Sequence, residues 1–318
     1  MYIGWTTYLK QRFQSKRAGM AVGVSLSAET ATFTALRSKG GEFFVVSEVS
    51  VLYSQWQAQL SKWVAKQKLS GTECHVALAQ NWYQLLQIDR PDVKDDEIND
   101  SLVWPVKELM GFDKPMVLDY FDLPVPLAGN KKVNVVAMPE DTIKEIVAGC
   151  IEANVRLESI SVEELAHCAL LPVMQEPVIT LTQEAGEEII LNVIKDGHLY
   201  LSRRLKGFEN LGSFSAEELR MGVLDSLCIQ IQRSMDFFES QLRQAPVRKV
   251  MIRINAAQTA IILEQISQAV SAEVTELDLS GVVNDPSEVI SNLSSLGMAL
   301  TPARNKTLSA KPVVADEK

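Results

Sequence analysis

Residues 22–36 read Val22-Gly23-Val24-Ser25-Leu26-Ser27-Ala28-Glu29 and then Thr30-Ala31-Thr32-Phe33-Thr34-Ala35-Leu36. Each half alternates large apolar or β-branched residues with small ones, and a short polar break separates the halves, which is typical of a β-hairpin. The pattern returns about half a chain later, in residues 178–183 and 188–194. Two similar hairpins this far apart predict a fold built from two related halves.

The residues after the first hairpin predict the rest of the first half. Residues 42–51 read as a third strand, residues 55–68 as an amphipathic helix and residues 74–79 as a short buried strand. The apolar face of this helix is formed by Trp56, Leu60, Trp63 and Val64. A hairpin, a strand, a helix and a strand in this order open a ribonuclease-H-like unit, which actin-like folds contain twice.

The sequence pattern changes over residues 82–155, where strands and helices are interspersed, and it predicts a compact α+β insertion. Its predicted strands are residues 83–89, 117–123 and 132–138, and its predicted helices are residues 95–111 and 141–153. In the first helix we expect Ile98, Leu102, Val106, Leu109 and Met110 to point inward. We also expect Pro105 to kink this helix or to split it.

The second half continues with a predicted helix at 162–171, a strand at 198–205 and one long helix at 215–243. A strand, a helix and a strand follow at 250–254, 259–270 and 274–279. From Thr301 onward, Pro, Lys, Ala and acidic residues dominate, and we predict disorder. The predicted boundaries are 1–18 for an N-terminal segment, 19–81 for the first lobe, 82–155 for the insertion, 156–177 for the return to the first lobe, 178–300 for the second lobe and 301–318 for the tail.

Composition excludes several classes of function. The 318-residue chain has a formal net charge of −9, which argues against general nucleic-acid binding. The cysteines and histidines are too scattered to predict a metal site: Cys74, Cys150, Cys168, Cys228, His75, His167 and His198. No catalytic triad motif or P-loop is present, and no apolar run reaches the length of a membrane span. We therefore expect a cytoplasmic protein.

The first 28 residues form a basic stretch in this acidic chain, with no acidic side chain before Glu29. Aromatic and basic residues fall there at helical spacing, among them Trp5, Lys10, Arg12 and Phe13. A basic amphipathic helix with aromatic anchors can lie on an anionic membrane surface. The alternative is that the aromatic rings pack on the protein's own surface while the basic side chains are solvated. The first interpretation predicts a protein peripheral to the inner membrane.

With these elements in order, the chain resembles the PilM family, the actin-like cytoplasmic component of type IV pilus assembly platforms. Within that family it is most similar to the branch that serves mannose-sensitive haemagglutinin (MSHA) pili. The resemblance spans about residues 22–282, and its most specific stretches are Asp92 to Tyr120, Glu152 to Glu163 and Ile231 to Phe238. It implies two ribonuclease-H-like lobes, a nucleotide cleft between them, and an inserted SHS2-like subdomain 1C placed as in FtsA.

The resemblance also implies where a nucleotide would bind, and those positions have lost the residue types that bind it. The Asp and Gly of the first phosphate loop fall on Ser25 and Ser27, and those of the second on Thr180 and Thr182. The glycine pair near adenosine falls on Asn255 and Ala256, whereas Gly207 remains near a family position. Without the two acidic residues, hydrated Mg²⁺ loses its ligands. Where glycine is missing, a side chain occupies the space that phosphate oxygens or adenine would need. We therefore predict a pseudo-ATPase without cofactor; the alternative is an ATP-binding switch in which Glu184 or Glu187 serves a displaced Mg²⁺.

Family resemblance further implies a partner, the N-terminal tail of a single-span PilN-like membrane protein, held in a groove between the first lobe and subdomain 1C. Other platform proteins, and the extension ATPase through them, are implied as well. The strand at 83–89 could be a sheet edge, so Trp82, Leu85 and Ile88 are candidate contacts for an extended peptide, with simple core packing as the alternative. A third interpretation is the cytoplasmic module of a type II secretion GspL-like protein, although such chains continue into a transmembrane helix.

Overall fold

The computed structural model describes residues 19–110, 115–184, 186–284 and 291–310. Its strands are β1 (Met20–Leu26), β2 (Thr30–Lys39), β3 (Glu42–Leu52), β4 (Glu73–Leu78), β5 (Gln84–Asp89), β6 (Met116–Asp122), β7 (Lys132–Pro139), β8 (Arg156–Val162), β9 (Val178–Gln183), β10 (Ile189–Lys195), β11 (His198–Leu205), β12 (Lys249–Ile254) and β13 (Glu273–Glu276). Its helices are α1 (Trp56–Lys66), α2 (Ile98–Met110), α3 (Glu140–Glu152), α4 (Glu163–Cys168), α5 (Asp225–Ser240), α6 (Thr259–Ala269) and α7 (Leu293–Ala310).

Two five-stranded sheets repeat one topology. The first has the order β3-β2-β1-β4-β8 and the second the order β11-β10-β9-β12-β13. In the first sheet, β1 and β2 are antiparallel, and so are β2 and β3, whereas β4 lies parallel to β1 and β8 parallel to β4. The second sheet has the same directions at every matching step. The predicted α/β fold with two ribonuclease-H-like lobes, the bilobed actin-like arrangement, is confirmed.

The core of the first lobe forms where α1 covers the first hairpin. Trp56, Leu60 and Val64 are at most 2% exposed, as the helical spacing predicts. The ring of Trp63 lies 5.8 Å from that of Phe33 on β2, measured between centroids. The helix at 55–68 is thus confirmed to within two residues at each end.

The inserted part is a three-stranded sheet with the order β5-β7-β6, covered by α2. Ile98, Leu102 and Val106 are fully buried, as expected. Leu109 lies in the last turn of α2 and is 65% exposed, so the prediction that it points inward is wrong. The prediction for the Met110 side chain lies outside the described part of the structure. The helix also runs through Pro105 without being split. The buried residues on either side of the proline anchor this turn against the sheet, which offsets the missing backbone hydrogen bond.

Helix α3, predicted as part of the insertion, packs in the core of the first lobe. Ile146 and Cys150 pack in the same buried cluster as Trp56. Gly149 lies so close to α1 that a Cβ there would be 2.3 Å from the Trp56 ring. The inserted sheet therefore ends with Pro139, and the predicted boundary at residue 155 lies beyond it.

The single long helix predicted at 215–243 is wrong, because the chain breaks at Met221 and Gly222. Gly222 has φ +90°, a conformation that glycine adopts without the Cβ penalty. A first turn at Ala216–Glu218 is closed by a capping box between Ser215 and Glu218, and α5 begins at Asp225. After the break, Leu227, Ile231 and Phe238 form the fully buried face of α5.

The last helix corrects two predictions. Residues 293–300 do not belong to the second lobe, and residues 301–310 continue α7 instead of starting a disordered tail. Helix α7 packs on β1 so closely that a Cβ on Gly23 would lie 1.8 Å from the Ser295 carbonyl oxygen. The small residues Gly23 and Ser295 let the helix lie directly on the strand. The composition of the sequence does not reveal this close contact.

The predictions for residues 1–18 and 311–318 lie outside the described residues. Among the helices that the structure describes, none combines the length and the apolar character needed to cross a membrane.

Candidate functional site

The first pair of predicted phosphate-loop positions, Ser25 and Ser27, lies at the end of β1 and in the turn that follows it. Ser27 Oγ accepts a hydrogen bond from the backbone N–H of Thr30 at 3.1 Å, which closes the turn between β1 and β2. Ser25 is 7% exposed. Two residues along a strand share a face, so Ser25 lies on the side of β1 that Gly23 presents to α7.

The second pair of positions lies inside strand β9. Thr180 and Thr182 are each 1% exposed. Thr182 Oγ1 forms a hydrogen bond with His167 Nδ1 at 2.9 Å, whereas Thr180 Oγ1 is buried without a hydrogen-bond partner among the described residues. Methyl and hydroxyl groups therefore fill this strand's face, where the family pattern would have a carboxylate and bare backbone.

The remaining three positions lie in the second lobe, after β11 and β12. Gly207 has φ +86°, and its N–H donates to Glu209 Oε1 at 2.9 Å. The backbone at Asn255 and Ala256 packs against the turn at Leu211–Ser213, since a Cβ on Gly212 would lie 2.2 Å from the Asn255 carbonyl oxygen. The seven positions thus occupy turns and strands, and among their side chains Ser27 and Thr182 form hydrogen bonds within the fold.

Between the lobes the structure reveals an ionic cluster that sequence reasoning missed. Arg204 on β11 pairs through Nη2 with Glu163 and with Glu164 Oε1, the latter at 3.1 Å. Tyr83 donates its hydroxyl hydrogen to Glu164, and the backbone N–H of Gln80 donates to Glu163 at 3.0 Å. The acidic pair 163–164 was visible in the sequence, but its arginine partner lies 40 residues away and on the other lobe.

The electrostatics of this interface follow from burial. Burial raises the pKa of Glu163 to about 7, although the Arg204 cation opposes the shift. Burial, and next the Glu164 carboxylate, also raise the pKa of Tyr83. Burial, helped by the charge of Arg204, lowers the pKa of His167 to about 3, so this imidazole is neutral at pH 7.

A groove runs between the inserted sheet and the first lobe. Its walls are two edge strands, β6 of the three-stranded sheet and β8 of the five-stranded sheet. The cavity measures about 430 Å³ and is lined mainly by apolar side chains, among them Val117, Tyr120, Phe121, Leu157 and Ile160. It continues toward α7 into a second cavity of about 490 Å³ that shares the lining residues Phe121 and Ile160.

The three candidate contacts, Trp82 just before β5 and Leu85 and Ile88 on it, do not form one surface. Trp82 stacks on Tyr53, with ring centroids 4.7 Å apart, and Leu85 packs on the core of the first lobe. Ile88 points to the opposite face and packs in the core of the insertion. Trp82 and Leu85 instead line a separate cleft of about 880 Å³, which Glu187, Glu188 and Lys206 border from the second lobe.

Comparisons with known proteins give a likeness of fold. No protein-family model and no curated protein matches the chain. The solved structure of a PilM-PilN type IV pilus biogenesis complex matches 88% of this chain and 98% of its own, with a TM-score of 0.65 and 15% identity.

Two further structures are more distant. The cytoplasmic domain of EpsL, an inner-membrane component of the type II secretion system of Vibrio cholerae, has a TM-score of 0.47 and 11% identity, and covers 79% of this chain and 95% of its own. A Bacteroides thetaiotaomicron protein with an actin-like ATPase fold has a TM-score of 0.49 and 10% identity, over 95% and 99% of the two chains. At such identities the likeness concerns architecture, and the chain has the bilobed actin-like fold with an inserted subdomain.

Proposed function

We propose that this protein is a non-enzymatic scaffold of a type IV pilus inner-membrane platform, of the MSHA kind, and that it binds the N-terminal tail of a PilN-like single-span membrane protein. The observation that carries this proposal is the groove between β6 and β8. The similarity of fold to a PilM-PilN complex supports it.

The groove suits an extended peptide for two reasons. An edge strand presents unpaired backbone N–H and C=O groups, so a tail can add to it through main-chain hydrogen bonds. Alternate side chains of such a peptide would then meet the apolar lining at Val117, Phe121 and Ile160. The groove replaces the β5 contacts as the proposed binding site.

The filled nucleotide positions support a scaffold without ATP turnover. Thr180 and Thr182 offer neither the charge that orders hydrated Mg²⁺ nor the space that phosphate oxygens need. Glu184, the candidate for a displaced Mg²⁺ ligand, accepts hydrogen bonds through both carboxyl oxygens from residues of α7 and its cap. Among the described residues, no three acidic, His or Cys side chains are grouped to hold a metal ion.

The same proposal includes the location. The tail of an inner-membrane protein would hold the scaffold at the cytoplasmic face, where Trp5, Lys10, Arg12 and Phe13 could contact anionic lipid. By binding this tail, the scaffold would link the membrane protein to other platform proteins and, through them, to the extension ATPase.

Calorimetric titration with a synthetic PilN-like tail tests the proposal. Val117→Asp places a charge in the groove and should weaken tail binding at least about tenfold, which corresponds to about 1.4 kcal/mol. The matched control is Val103→Asp, because Val103 is similarly exposed but lies on α2, away from the groove. Absence of binding at high micromolar tail, or equal effects of the two variants, would contradict the proposal.

A thermal-shift titration with Mg-ATP addresses the alternative of a nucleotide switch. We expect no change in Tm. A ligand at a hundredfold excess over its Kd adds about 2.7 kcal/mol to the free energy of unfolding, so even moderate binding would be visible. A clear rise in Tm would favour the ATP-binding interpretation.

A further inference from the structure

Arg304, near the end of α7, is a cation without a carboxylate partner in the part of the chain that the structure describes. Its Nη2 donates a hydrogen bond to the Gly197 carbonyl in the β10–β11 turn. Its Nη1 is buried and has no hydrogen-bond partner among the described residues. Because enclosed charges in proteins are ordinarily paired, this guanidinium lacks a counter-charge that a bound anion could supply.

The surroundings of Arg304 remove it from water without neutralising it. Burial lowers the pKa of the Arg304 guanidinium, as expected for a cation in a less polar environment. The Cys168 thiol interacts with the guanidinium, but burial raises the pKa of this thiol to about 11, so Cys168 is neutral at pH 7. An arginine side chain stays protonated in proteins, so the positive charge remains.

Arg304 lines the second cavity, which continues the groove between β6 and β8. Phe121 and Ser161 line both cavities, so a peptide that fills the groove can run on past β8 to α7. Asp122 also lines the second cavity, but its Oδ1 lies 2.9 Å from Nε of Arg90, with which it forms an ion pair. The second cavity therefore offers an incoming peptide a cation that no carboxylate of the described chain neutralises.

The charged side chains along the groove change sign from one cavity to the next. Asp119 on β6 and Glu158 on β8 line the first cavity, where Glu158 is paired with Arg156. Arg304 lines the second cavity. Complementary charges fix the register of a partner and disfavour partners with the wrong charge. A tail that runs along both cavities is therefore favoured when it presents an acidic side chain to α7.

We propose that Arg304 determines the specificity of the tail groove, by binding an aspartate or glutamate side chain of the tail in the cavity of about 490 Å³ between β8 and α7. This inference rests on the proposed tail-binding function and adds a requirement on the chemistry of the tail. A guanidinium can bind a carboxylate through two parallel hydrogen bonds, which fix the position of the carboxylate as well as its charge. The pair would thus set the register of the tail in the groove.

Calorimetric titration of the full chain with two kinds of synthetic tail tests the inference. One is the natural tail of the PilN-like partner, and the other carries Asn or Gln in place of each acidic residue in turn. One of these amide substitutions should weaken binding to the wild type at least about tenfold. Arg304→Gln should weaken binding of the natural tail by a similar factor, and the same amide substitution should then have no further effect.

The matched control is Arg220→Gln, because Arg220 is exposed and lines neither cavity. This variant should bind the natural tail as the wild type does. If Arg304→Gln fails to fold, Thr301→Glu replaces it. Residue 301 lines the same cavity one turn before Arg304, so a carboxylate there should pair with the guanidinium and abolish the effect of the amide substitution.

The outcomes separate this inference from the scaffold function. Equal binding of the natural and all amide-substituted tails by the wild type would overturn the inference and leave the scaffold function standing. So would losses that add when the amide substitution is combined with Arg304→Gln, because additive losses mean that the two groups do not interact. No binding of any tail by the wild type would overturn the scaffold function, and this inference with it.

Discussion

Gly297 of α7 lies directly against Ala166 of α4, so closely that a Cβ on the glycine would be 2.1 Å from the Ala166 carbonyl oxygen. These two helices lie between the sheets, and α4 also contacts β11 of the second lobe through Glu163 and Glu164. Helices α4 and α7 therefore cross in direct contact at the interface between the two lobes.

Gly297→Ala should destabilise the protein by about 1–3 kcal/mol, because the added methyl group meets backbone that cannot move aside. Urea denaturation would measure this loss. Gly281→Ala serves as the control, since a Cβ there meets no atom within 4 Å, and should change the free energy of unfolding by less than about 0.5 kcal/mol. Equal changes in the free energy of unfolding for the two variants would show that α4 and α7 can move apart to accept the methyl group without loss of stability.

Arg204→Ala should cost about 3–5 kcal/mol, because it leaves two enclosed carboxyl groups without their cation. The neighbouring Arg203→Ala is the matched control. Arg203 lies over the Phe237 ring at 5.5 Å and bonds Ser234, contacts that contribute less. Chemical denaturation at pH 7 compares the two, and similar losses would mean that the Arg204 pairs contribute little net stability.

Sequence periodicity predicted the elements that fold by local pattern. The two hairpins and α1 alternate or repeat their apolar residues at the spacing of a strand or a helix, and each was confirmed within a few residues. Helix α7 was not predicted from the sequence, because its first two turns are rich in Ser, Gly and Ala. These residues give little periodic signal, but they permit the close approach of Ser295 to Gly23.

The interlobe site could not be predicted for a different reason. Glu163, Glu164 and Arg204 each look like an ordinary surface charge in the sequence, and only the tertiary fold brings them together. The groove between β6 and β8 depends likewise on where two strands end up as sheet edges. Of the nucleotide positions that the family resemblance implied, Ser25, Thr180 and Thr182 are buried in strands. The contacts that edge-strand reasoning suggested lie on different faces, because Leu85 packs on the first lobe and Ile88 in the insertion.

Thr182→Val and Thr180→Val form a matched pair in one strand. Thr182→Val removes the hydrogen bond to His167 and leaves a buried imidazole nitrogen unpaired, so we expect a loss of about 1–2 kcal/mol. Thr180→Val removes a buried hydroxyl that has no partner among the described residues, so it should be neutral or stabilising. Thermal unfolding of both variants tests whether these two strand positions stabilise the core, and a larger loss for Thr180→Val would contradict this.

The stability contributed by three buried groups should have its maximum near pH 4.5, because above that pH the two glutamates with raised pKa values outweigh the one histidine with a lowered pKa. Burial raises the pKa of Glu184 to about 8 and that of Glu163 to about 7, from 4.5 for both. The folded protein therefore binds more protons than the unfolded chain between these values, and stability contributed by both groups is lost as the pH rises toward 8. His167 acts oppositely, because its pKa falls from 6.5 to about 3 and the unfolded chain binds the extra proton below pH 6.5.

Above pH 6.5 the histidine no longer contributes to the slope, so the two glutamates alone should lower Tm between pH 6.5 and 8.5. Glu184→Gln carries no titratable proton and should flatten the upper part of this decline, while Glu187→Ala should follow the wild-type curve. Tm measured in half-unit steps from pH 5 to 9 checks the prediction. A wild-type Tm that rises steadily to pH 8.5 would mean that Glu184 is ionised throughout, held so by the donors at Asn292 and Leu293.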